Sequence, residues 1–383
     1  MKKIFTITVL IAGLTVFYGC GGKKETSSQT KTGAGNKNNS NGKIPVDGKF
    51  GFLRDAFNMD LEKIEETGAT WFRPNFGYFV WGVMQKTENA PLDFSGTDEV
   101  VSQAQKRSLN ISITIFPFAD WDQKTNGDKC KVSANDEMLP RSKGDFTTPG
   151  LPYYRCNPND WPAYEKWLTA LVERYDGDGK DDMKGLLFPV LHYEIGNEPD
   201  LTKDPKSEGG MVFYLGTPEN YAELLQKSYP AIKSASNDAQ VLIAAPAGMQ
   251  SEFVKYWEKV LATPKITDSF DIANIHCLSG PNQDKNDPAA LSAGDMNVTA
   301  YKNLLANYKI TKPIWVTEAE NVQGNNVKEN VNRLKSSVIK ALQNGAEKIF
   351  FTGASFANDP MRYTSEILIG EKSYYTDIIS AVK

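Results

Sequence analysis

Two glutamates, each at the end of an apolar stretch, carry the main chemical signal in this sequence. Glu198 follows the apolar run Leu186–Leu191, and Pro199, which lacks an N–H, stops a strand from continuing past it. Glu318 ends a second apolar run, Pro313–Val316. Glycosidic bond cleavage needs one carboxylic acid and one carboxylate, and two buried strands ending at the same edge of a sheet supply them. The alternative for Glu198 is a solvated strand end followed by a turn.

The segment Asn197-Glu198-Pro199 and the later strand-end Glu318 together resemble the retaining glycoside hydrolases of clan A, of the family 5, 39 and 51 type. In that group an Asn-Glu-Pro at the end of strand 4 carries the acid/base, and a glutamate at the end of strand 7 is the nucleophile. The resemblance implies that Glu198 is the acid/base, that Glu318 is the nucleophile and that the substrate is a carbohydrate. Asn197 would then hydrogen-bond the 2-hydroxyl of the sugar.

The rest of the chain alternates apolar runs with amphipathic stretches, which predicts an α/β fold, a (β/α)8 TIM barrel forming a single catalytic domain over residues 44–383. The predicted strands are Phe50–Leu53, Thr70–Pro74, Ile111–Phe118, Leu187–Ile195, Val241–Pro246, Ile272–His276, Ile314–Thr317 and Lys348–Thr352. The predicted helices are Leu61–Thr67, Glu99–Ser108, Ala163–Tyr175, Asn220–Ser234, Ser251–Leu261, Ala300–Tyr308, Val327–Gln343 and the closing Tyr374–Val382.

Two further residues at predicted strand ends match the same group. Arg73 ends strand 2, where these enzymes often carry an arginine that hydrogen-bonds the nucleophile, and such a cation would keep Glu318 ionised. His276 matches the strand 6 histidine that points into their cleft. The alternatives are an arginine that bridges loops and a satisfied core histidine. The chain departs from the group at Leu278, where a tyrosine is usual, and at strand 8, where Phe356 is the nearest aromatic to the usual tryptophan.

Aromatic residues are concentrated in the loops after strands 2 and 3, and we expect Tyr78, Trp81 and Trp121 to contact sugar rings. Flat rings bury the apolar C–H faces of sugars while the hydroxyl groups stay available for polar contacts. Rings in long loops can equally form a small core of the loop itself. The other aromatics of these two loops are Phe76, Phe79, Tyr153, Tyr154 and Trp161.

Composition excludes several other classes of protein. The 383 residues include 43 basic and 47 acidic side chains without a basic block, so nucleic acid is not an expected partner. With only two histidines, His192 and His276, and four scattered cysteines, a zinc site is nearly excluded, and we expect no metal, no cofactor and a monomer. In an exported protein Cys130 and Cys156, which share one loop, can form a disulfide.

The first 43 residues predict export. Residues 1–20 have a basic start, an apolar stretch too short to span a bilayer and a Gly19-Cys20 end that resembles a bacterial lipoprotein box. Cys20 would then be lipidated and would attach the protein to a membrane of the bacterial cell envelope, the outer membrane in this interpretation. A plain secretory signal is the alternative. Residues 21–43 are polar and of low complexity, which is typical of a flexible tether.

Two rival functions follow from the same residues. A catalytically inactive glycan-binding lipoprotein on the same barrel would explain the departures at Leu278 and strand 8, because fold alone does not fix function. An aldolase-type barrel needs a lysine at a strand end for a Schiff base. Lys312 and Lys348 begin their strands, so this class is set aside.

Overall fold

Eight parallel strands form the centre of the computed structural model, which describes residues 45–54, 56, 60–134, 136, 150–201, 212–279, 292–321, 327–352 and 374–382. The strands are β1 (Phe50–Arg54), β2 (Trp71–Pro74), β3 (Asn110–Ile115), β4 (His192–Ile195), β5 (Gln240–Ile243), β6 (Ala273–Ser279), β7 (Ile314–Asn321) and β8 (Ala346–Phe351).

Helices separate the strands. They are α1 (Asp60–Thr67), α2 (Trp81–Met84), α3 (Ser95–Lys106), α4 (Asp120–Gln123), α5 (Trp161–Glu173), α6 (Pro218–Ala235), α7 (Ser251–Leu261), α8 (Val298–Asn307), α9 (Val327–Gln343) and α10 (Tyr374–Ser380). The start of α6 shows why the sequence forms a helix there: Thr217 Oγ1 accepts a hydrogen bond of 3.2 Å from Asn220 N, and Pro218 is the first helical residue.

The strands pair in the order β5-β4-β3-β2-β1-β8-β7-β6, so neighbours in the chain are neighbours in the sheet. A single parallel bridge between Leu242 and Ile272 joins β5 to β6 and brings the two edges together. The predicted (β/α)8 barrel is therefore confirmed, and its strand ends differ from the predicted ones by a few residues. Among the described residues, no helix has both the length and the apolar character needed to cross a bilayer.

Strand β4 begins later than the apolar pattern predicts. The side chain of Gln105 in α3 accepts a hydrogen bond of 2.8 Å from Leu187 N and donates one of 2.6 Å to Phe188 O. These bonds satisfy backbone groups that a strand would pair with its neighbour, and Pro189 has no N–H to offer. The ladder of β4 therefore starts only at His192.

A layer of rings fills the amino-terminal end of the barrel. Trp71 and Trp315 are buried and pack edge to face, with centroids 5.2 Å apart. The imidazole of His192 stacks on Trp315 at 5.1 Å, and the Lys348 ammonium lies 4.5 Å from the Trp71 ring centroid. His192, the partly buried first residue of β4, thus packs within this layer of rings. Its pKa is lowered to about 4 by desolvation, with the Lys348 charge as the second cause.

The long segment after β3 is held at its base by a disulfide between Cys130 and Cys156, the expected pair. Next to it, Lys131 and Tyr154 form an antiparallel bridge, and Arg155 N donates a hydrogen bond of 2.8 Å to Cys130 O. The bonded cysteines and this short ladder fix the direction of the chain beside the carboxyl end of the barrel. The predicted leader and tether, with Cys20, and Phe356 near strand 8 lie outside the described residues.

We predict that the double variant Cys130→Ser/Cys156→Ser is less stable than the parent by about 3 kcal/mol, because the bond closes a 26-residue separation. Urea unfolding of the oxidised parent, the reduced parent and the variant measures the difference. The buried thiol Cys277 is the control position: Cys277→Ser should not change the stabilisation that oxidation of the other two cysteines brings. Equal stability of the oxidised and reduced parent would contradict the prediction.

Candidate active site

Polar side chains from four strands converge at the carboxyl end of the barrel, where catalytic residues of such barrels lie. Their positions follow from the register: Arg73 lies in β2 just before its last residue, Glu194 lies in β4, and His276 and Glu318 face each other in the β6–β7 pairing. All four side chains are buried or nearly so, with at most 6% of the residue surface exposed. Charged groups this deeply buried must be paired.

Arg73 is the centre of this cluster. Its guanidinium donates three hydrogen bonds of 2.8 Å each: from Nε to Glu194 Oε2, from Nη1 to Glu318 Oε1 and from Nη2 to Asn197 Oδ1. Burial lowers the pKa of Arg73, but Glu194 and Glu318 raise it, and the net direction is upward. The arginine is therefore a fixed cation that connects β2, β4 and β7. It has no exposed surface, so it positions other groups and does not contact a substrate itself.

Glu198 lies just beyond β4 in a backbone conformation that side-chain-bearing residues rarely adopt, with φ at 37°. Its Oε1 lies 2.8 Å from His276 Nδ1. The pKa of Glu198 is raised to about 7, chiefly by burial, while Arg73 lowers it and Glu194 raises it further. A carboxyl group with this pKa holds its proton in neutral solution for a large part of the time, as a general acid must.

Glu318 has a different environment. Burial raises its pKa above the ordinary value, and the interactions with His276 and Arg73 oppose that effect. The direct bond from Arg73 Nη1 favours the ionised form, because a cation at hydrogen-bond distance stabilises the carboxylate. One oxygen of Glu318 and one of Glu198 lie within 4.8 Å of each other. The two carboxyl groups therefore face one another across a short gap.

Asn197 has one end of its amide bound and the other unsatisfied. Its Oδ1 accepts the bond from Arg73, whereas its Nδ2 is buried without a hydrogen-bond partner in the described part of the chain. A buried N–H without a partner costs about 1–3 kcal/mol, so this atom is a donor prepared for a ligand.

His276 is brought to the cluster but not to its surface. The residue is fully buried, and both ring nitrogens lie at hydrogen-bond distance from protein atoms, Nδ1 from Glu198 and Nε2 from Thr317 Oγ1 at 2.9 Å. It contacts the expected acid/base directly. His276 is expected from the sequence to bind substrate, but here it has no exposed surface for that contact, and both polar atoms of its ring already have partners.

The three expected aromatic contacts differ in exposure. Trp81 has no exposed surface and packs against Trp121, Tyr164 and Trp167, so it belongs to the core of its loop and not to an open cleft. Tyr78 is also buried, at 5% exposure. Trp121 is partly exposed and fixed by a 2.8 Å hydrogen bond from its Nε1 to Gln85 O. Of the three, Trp121 retains a surface that a ligand can contact.

Several members of the site were not predicted from the sequence. Glu194 accepts hydrogen bonds from Arg73, Thr114 and Asn274, and Thr317 contacts both His276 and Asn274. The signal for Glu194 was present: a charged residue inside an apolar strand must face a polar partner in the barrel interior. Asn274 and Thr317 carried no such signal, since neutral polar residues are common in strands.

A divalent cation could bridge atoms at the spacing found among Glu198, His276 and Glu318, which all lie within 4.8 Å. The Arg73 guanidinium already neutralises Glu318, and the Glu198–His276 contact uses the atoms that face each other, so we assign no metal to this cluster. A second group, buried Asp176, exposed Asp178 and partly buried Asp182, follows α5, and its carboxylates accept hydrogen bonds from backbone N–H groups of the same loop.

Comparison with known proteins supports the fold. No protein-family model and no curated protein matches the chain. Among solved structures, a glucosidase from Croceicoccus marinus aligns with a TM-score of 0.55 and 15% identity over 89% of this chain and 68% of the other. A monomeric beta-xylosidase from Caulobacter crescentus aligns with a TM-score of 0.52 and 15% identity over 81% of this chain and 61% of the other.

An endo-1,4-beta-mannanase from Rhizomucor miehei aligns with a TM-score of 0.52 and 12% identity over 88% of this chain and 95% of the other. This chain therefore spans almost the whole mannanase but less than two thirds of the xylosidase. The chain shares its barrel with enzymes that act on glycosides, including a beta-xylosidase and a beta-mannanase. At these identities the comparisons establish the architecture, and function has to be argued from the site.

We predict that Glu194→Gln destabilises the protein by about 3 kcal/mol or more, because it removes one of the two anions that neutralise the buried Arg73. Urea unfolding measures the change. Glu347→Gln, at the exposed position of β8, is the matched control and should change stability by less than about 0.5 kcal/mol. Equal effects of the two substitutions would show that the buried ion pair is not needed for folding.

Proposed function

We propose that this protein is a retaining glycoside hydrolase of clan A type that cleaves β-glycosidic bonds of a poly- or oligosaccharide. The observation that carries the proposal is the pair Glu198, just beyond β4, and Glu318, in β7, whose facing oxygens lie within 4.8 Å of each other. Retaining enzymes have carboxyl groups about 5–5.5 Å apart, and inverting ones about 6.5–9.5 Å. The short gap leaves no room for a water molecule between sugar and carboxylate, which favours double displacement.

In the first step Glu318 attacks the anomeric carbon and Glu198 transfers its proton to the leaving oxygen. The bond from the anomeric carbon to Glu318 forms as the glycosidic bond breaks, through a transition state with oxocarbenium character. Burial raises the pKa of Glu198 to about 7, which favours its acid form, and the bond from Arg73 favours the carboxylate form of Glu318. These are the opposite protonation states that this step requires.

In the second step Glu198, now a carboxylate, removes a proton from water. The water oxygen bonds to the anomeric carbon as the bond to Glu318 breaks, which restores both residues and retains the anomeric configuration. The unsatisfied Nδ2 of Asn197 is a donor for the sugar 2-hydroxyl during both steps. Substrate binding would then supply the partner that this buried amide lacks.

We predict that removal of each of the two carboxyl groups blocks a different step of the reaction. Glu318→Ala removes the nucleophile and should stall every substrate. Glu198→Ala removes the acid, so aryl glycosides with good leaving groups should still form the glycosyl-enzyme, which then persists until azide turns it over. Mass spectrometry of the intermediate and the configuration of the azide product measure this difference.

Glu347→Ala, at the exposed position of β8, is the control and should leave turnover unchanged. The assignment of Glu198 fails if Glu198→Ala hydrolyses an unactivated glycan as fast as the parent. Inverted configuration of the product would overturn the retaining mechanism while leaving the two glutamates as the catalytic pair.

A second candidate is a surface protein that binds glycans without cleaving them. The observation in its favour is Leu278, which stands in β6 where clan A enzymes usually carry a tyrosine partner of the nucleophile. Incubation with a panel of glycans separates the candidates: the enzyme releases reducing ends, whereas the binding protein retains intact glycans and releases none.

We further propose that the protein is exported and attached to the bacterial cell envelope by a lipid on Cys20, with residues 21–43 as a tether. The support is the apolar stretch followed by Gly19-Cys20. Replacement Cys20→Ser should move the protein from the membrane fraction to the soluble fraction, because the thiol that carries the lipid is lost. Ser27→Ala in the tether is the control. If Cys20→Ser stays in the membrane fraction, the protein is not attached through a lipid on Cys20.

A further inference from the structure

A chain of buried hydrogen bonds connects Glu194 inside the barrel to Glu198 at its mouth. Asn274 Nδ2 lies 2.8 Å from Glu194 Oε1, and Thr317 Oγ1 lies 2.9 Å from Asn274 Oδ1. His276 Nε2 lies 2.9 Å from the same Thr317 Oγ1, and His276 Nδ1 lies 2.8 Å from Glu198 Oε1. We call these five residues the relay. Every link is within ordinary hydrogen-bond distance.

The direction of the relay is set at its inner end. Glu194 Oε2 accepts from Arg73 Nε and from Thr114 Oγ1, so Glu194 is a carboxylate that can only accept hydrogen bonds. Asn274 must therefore present its NH2 group to Glu194, because the opposite orientation would place two acceptors against each other. The amide oxygen of Asn274 then faces Thr317.

Thr317 transmits this direction to the histidine. Its single hydroxyl hydrogen is donated to Asn274 Oδ1, so its oxygen can only accept from His276 Nε2. A neutral imidazole carries one N–H, which leaves Nδ1 with a bare lone pair opposite Glu198 Oε1. That contact is a hydrogen bond only when a proton lies between the two atoms.

We propose that the relay fixes His276 as the Nε2–H tautomer and so keeps the shared proton on Glu198. His276, Thr317 and Asn274 are then positioning residues: they determine the protonation state of the acid/base without touching the reacting atoms. The catalytic meaning rests on the proposed function, whereas the tautomer of His276 follows from the hydrogen bonds alone.

The surrounding charges agree with this placement of the proton. Burial lowers the pKa of His276 to about 4, with Glu318 raising it and Arg73 lowering it, while the pKa of Glu198 is about 7. The proton therefore belongs to the carboxyl group. The titratable and charged groups near the pair are Arg73 in β2, Glu194 in β4, Asp200 in the loop after β4, and Glu318 in β7.

The relay also has a consequence for the second half of the reaction. After Glu198 has given its proton to the leaving oxygen, its carboxylate faces the bare Nδ1 of His276. A lone pair opposite an anion disfavours the charged form and raises the affinity of Glu198 for a proton. Glu198 is then a stronger base towards the water that attacks the glycosyl-enzyme. The same contact thus serves both the acid role and the base role.

The tautomer can be measured directly by nitrogen-15 NMR, because the chain contains only two histidines. A His192→Asn variant assigns the two imidazoles. We expect the parent to show His276 protonated at Nε2 and bare at Nδ1 from pH 8 down to about pH 5. A parent with the proton on Nδ1 overturns the proposal without the need for any relay variant.

The Thr317→Val variant tests whether the hydroxyl of Thr317 fixes the tautomer of His276. Valine has the shape of threonine without the hydroxyl, so Nε2–H loses its acceptor and the proton should move to Nδ1, where the Glu198 carboxylate accepts it. Thr317→Ser keeps the hydroxyl and should keep the parent tautomer. Circular dichroism verifies that both variants are folded. A folded valine variant with the parent tautomer shows that Thr317 does not set the direction.

The pH dependence of kcat/KM reports the catalytic effect. An Nδ1–H bond would stabilise the Glu198 carboxylate, so Thr317→Val should move the alkaline limb, which lies near pH 7 in the parent, down by about one pH unit. Activity above that limb then falls about tenfold. The acid limb, set by Glu318, should stay in place, and Thr317→Ser should restore the parent profile.

The two proposals fail in different ways. If no glycan is cleaved but NMR finds the predicted tautomer and its loss in Thr317→Val, the proposed function fails and the structural inference stands. If hydrolysis depends on Glu198 and Glu318 but Thr317→Val leaves both the tautomer and the alkaline limb unchanged, the relay proposal is overturned. The proposed glycosidase function then still stands.

Discussion

The site depends on one buried cation. Arg73 is fully enclosed, and removal of such a charge from water costs several kcal/mol unless anions and acceptors surround it. Glu194, Glu318 and Asn197 provide those acceptors from β4, β7 and the loop after β4. Their positions are therefore fixed by the need to neutralise the guanidinium as well as by the barrel register. The contacts that allow Arg73 to be buried in the folded protein are therefore the same contacts that align the expected nucleophile, Glu318.

Arg73 also makes the two facing carboxyl groups differ in their preferred protonation state. Both are buried, and burial alone would protonate both. Arg73 donates directly to Glu318, whereas the direct partner of Glu198 is the neutral imidazole of His276. An asymmetric set of neighbours thus produces one carboxylate and one carboxylic acid within 4.8 Å. Glu194 links the two halves, because it neutralises Arg73 on one side and orients Asn274 on the other.

Strand patterns and strand-end chemistry made most of the fold predictable. Local signals predicted the eight strands and the helices Ser251–Leu261 and Val327–Gln343. The bond from Arg73 to Glu318 was expected from the resemblance to clan A enzymes. Where local signals mislead, a long-range contact decides: Gln105 shortens β4 by capturing its first backbone groups, and Trp81 is buried by rings from other helices. The roles of Thr317 and Asn274 were not predictable, because the role of a hydroxyl or an amide depends on its hydrogen-bond partners, and here those partners lie on other strands of the barrel.

The backbone at Glu198 shows how strongly these contacts act. A φ of 37° is unfavourable for a residue with a side chain, and the residue before a proline ordinarily prefers an extended conformation. Such strain, of order 1–3 kcal/mol, persists only where the surroundings determine the geometry. Asn197 is held by Arg73, Glu198 itself contacts His276, and Asp200 accepts hydrogen bonds from Trp257 Nε1 at 2.9 Å and from Ala247 N. The chain is thus anchored before, at and after the strained residue. The strained backbone conformation turns the carboxyl group of Glu198 towards Glu318, and the contacts of Asn197, Glu198 and Asp200 offset its cost.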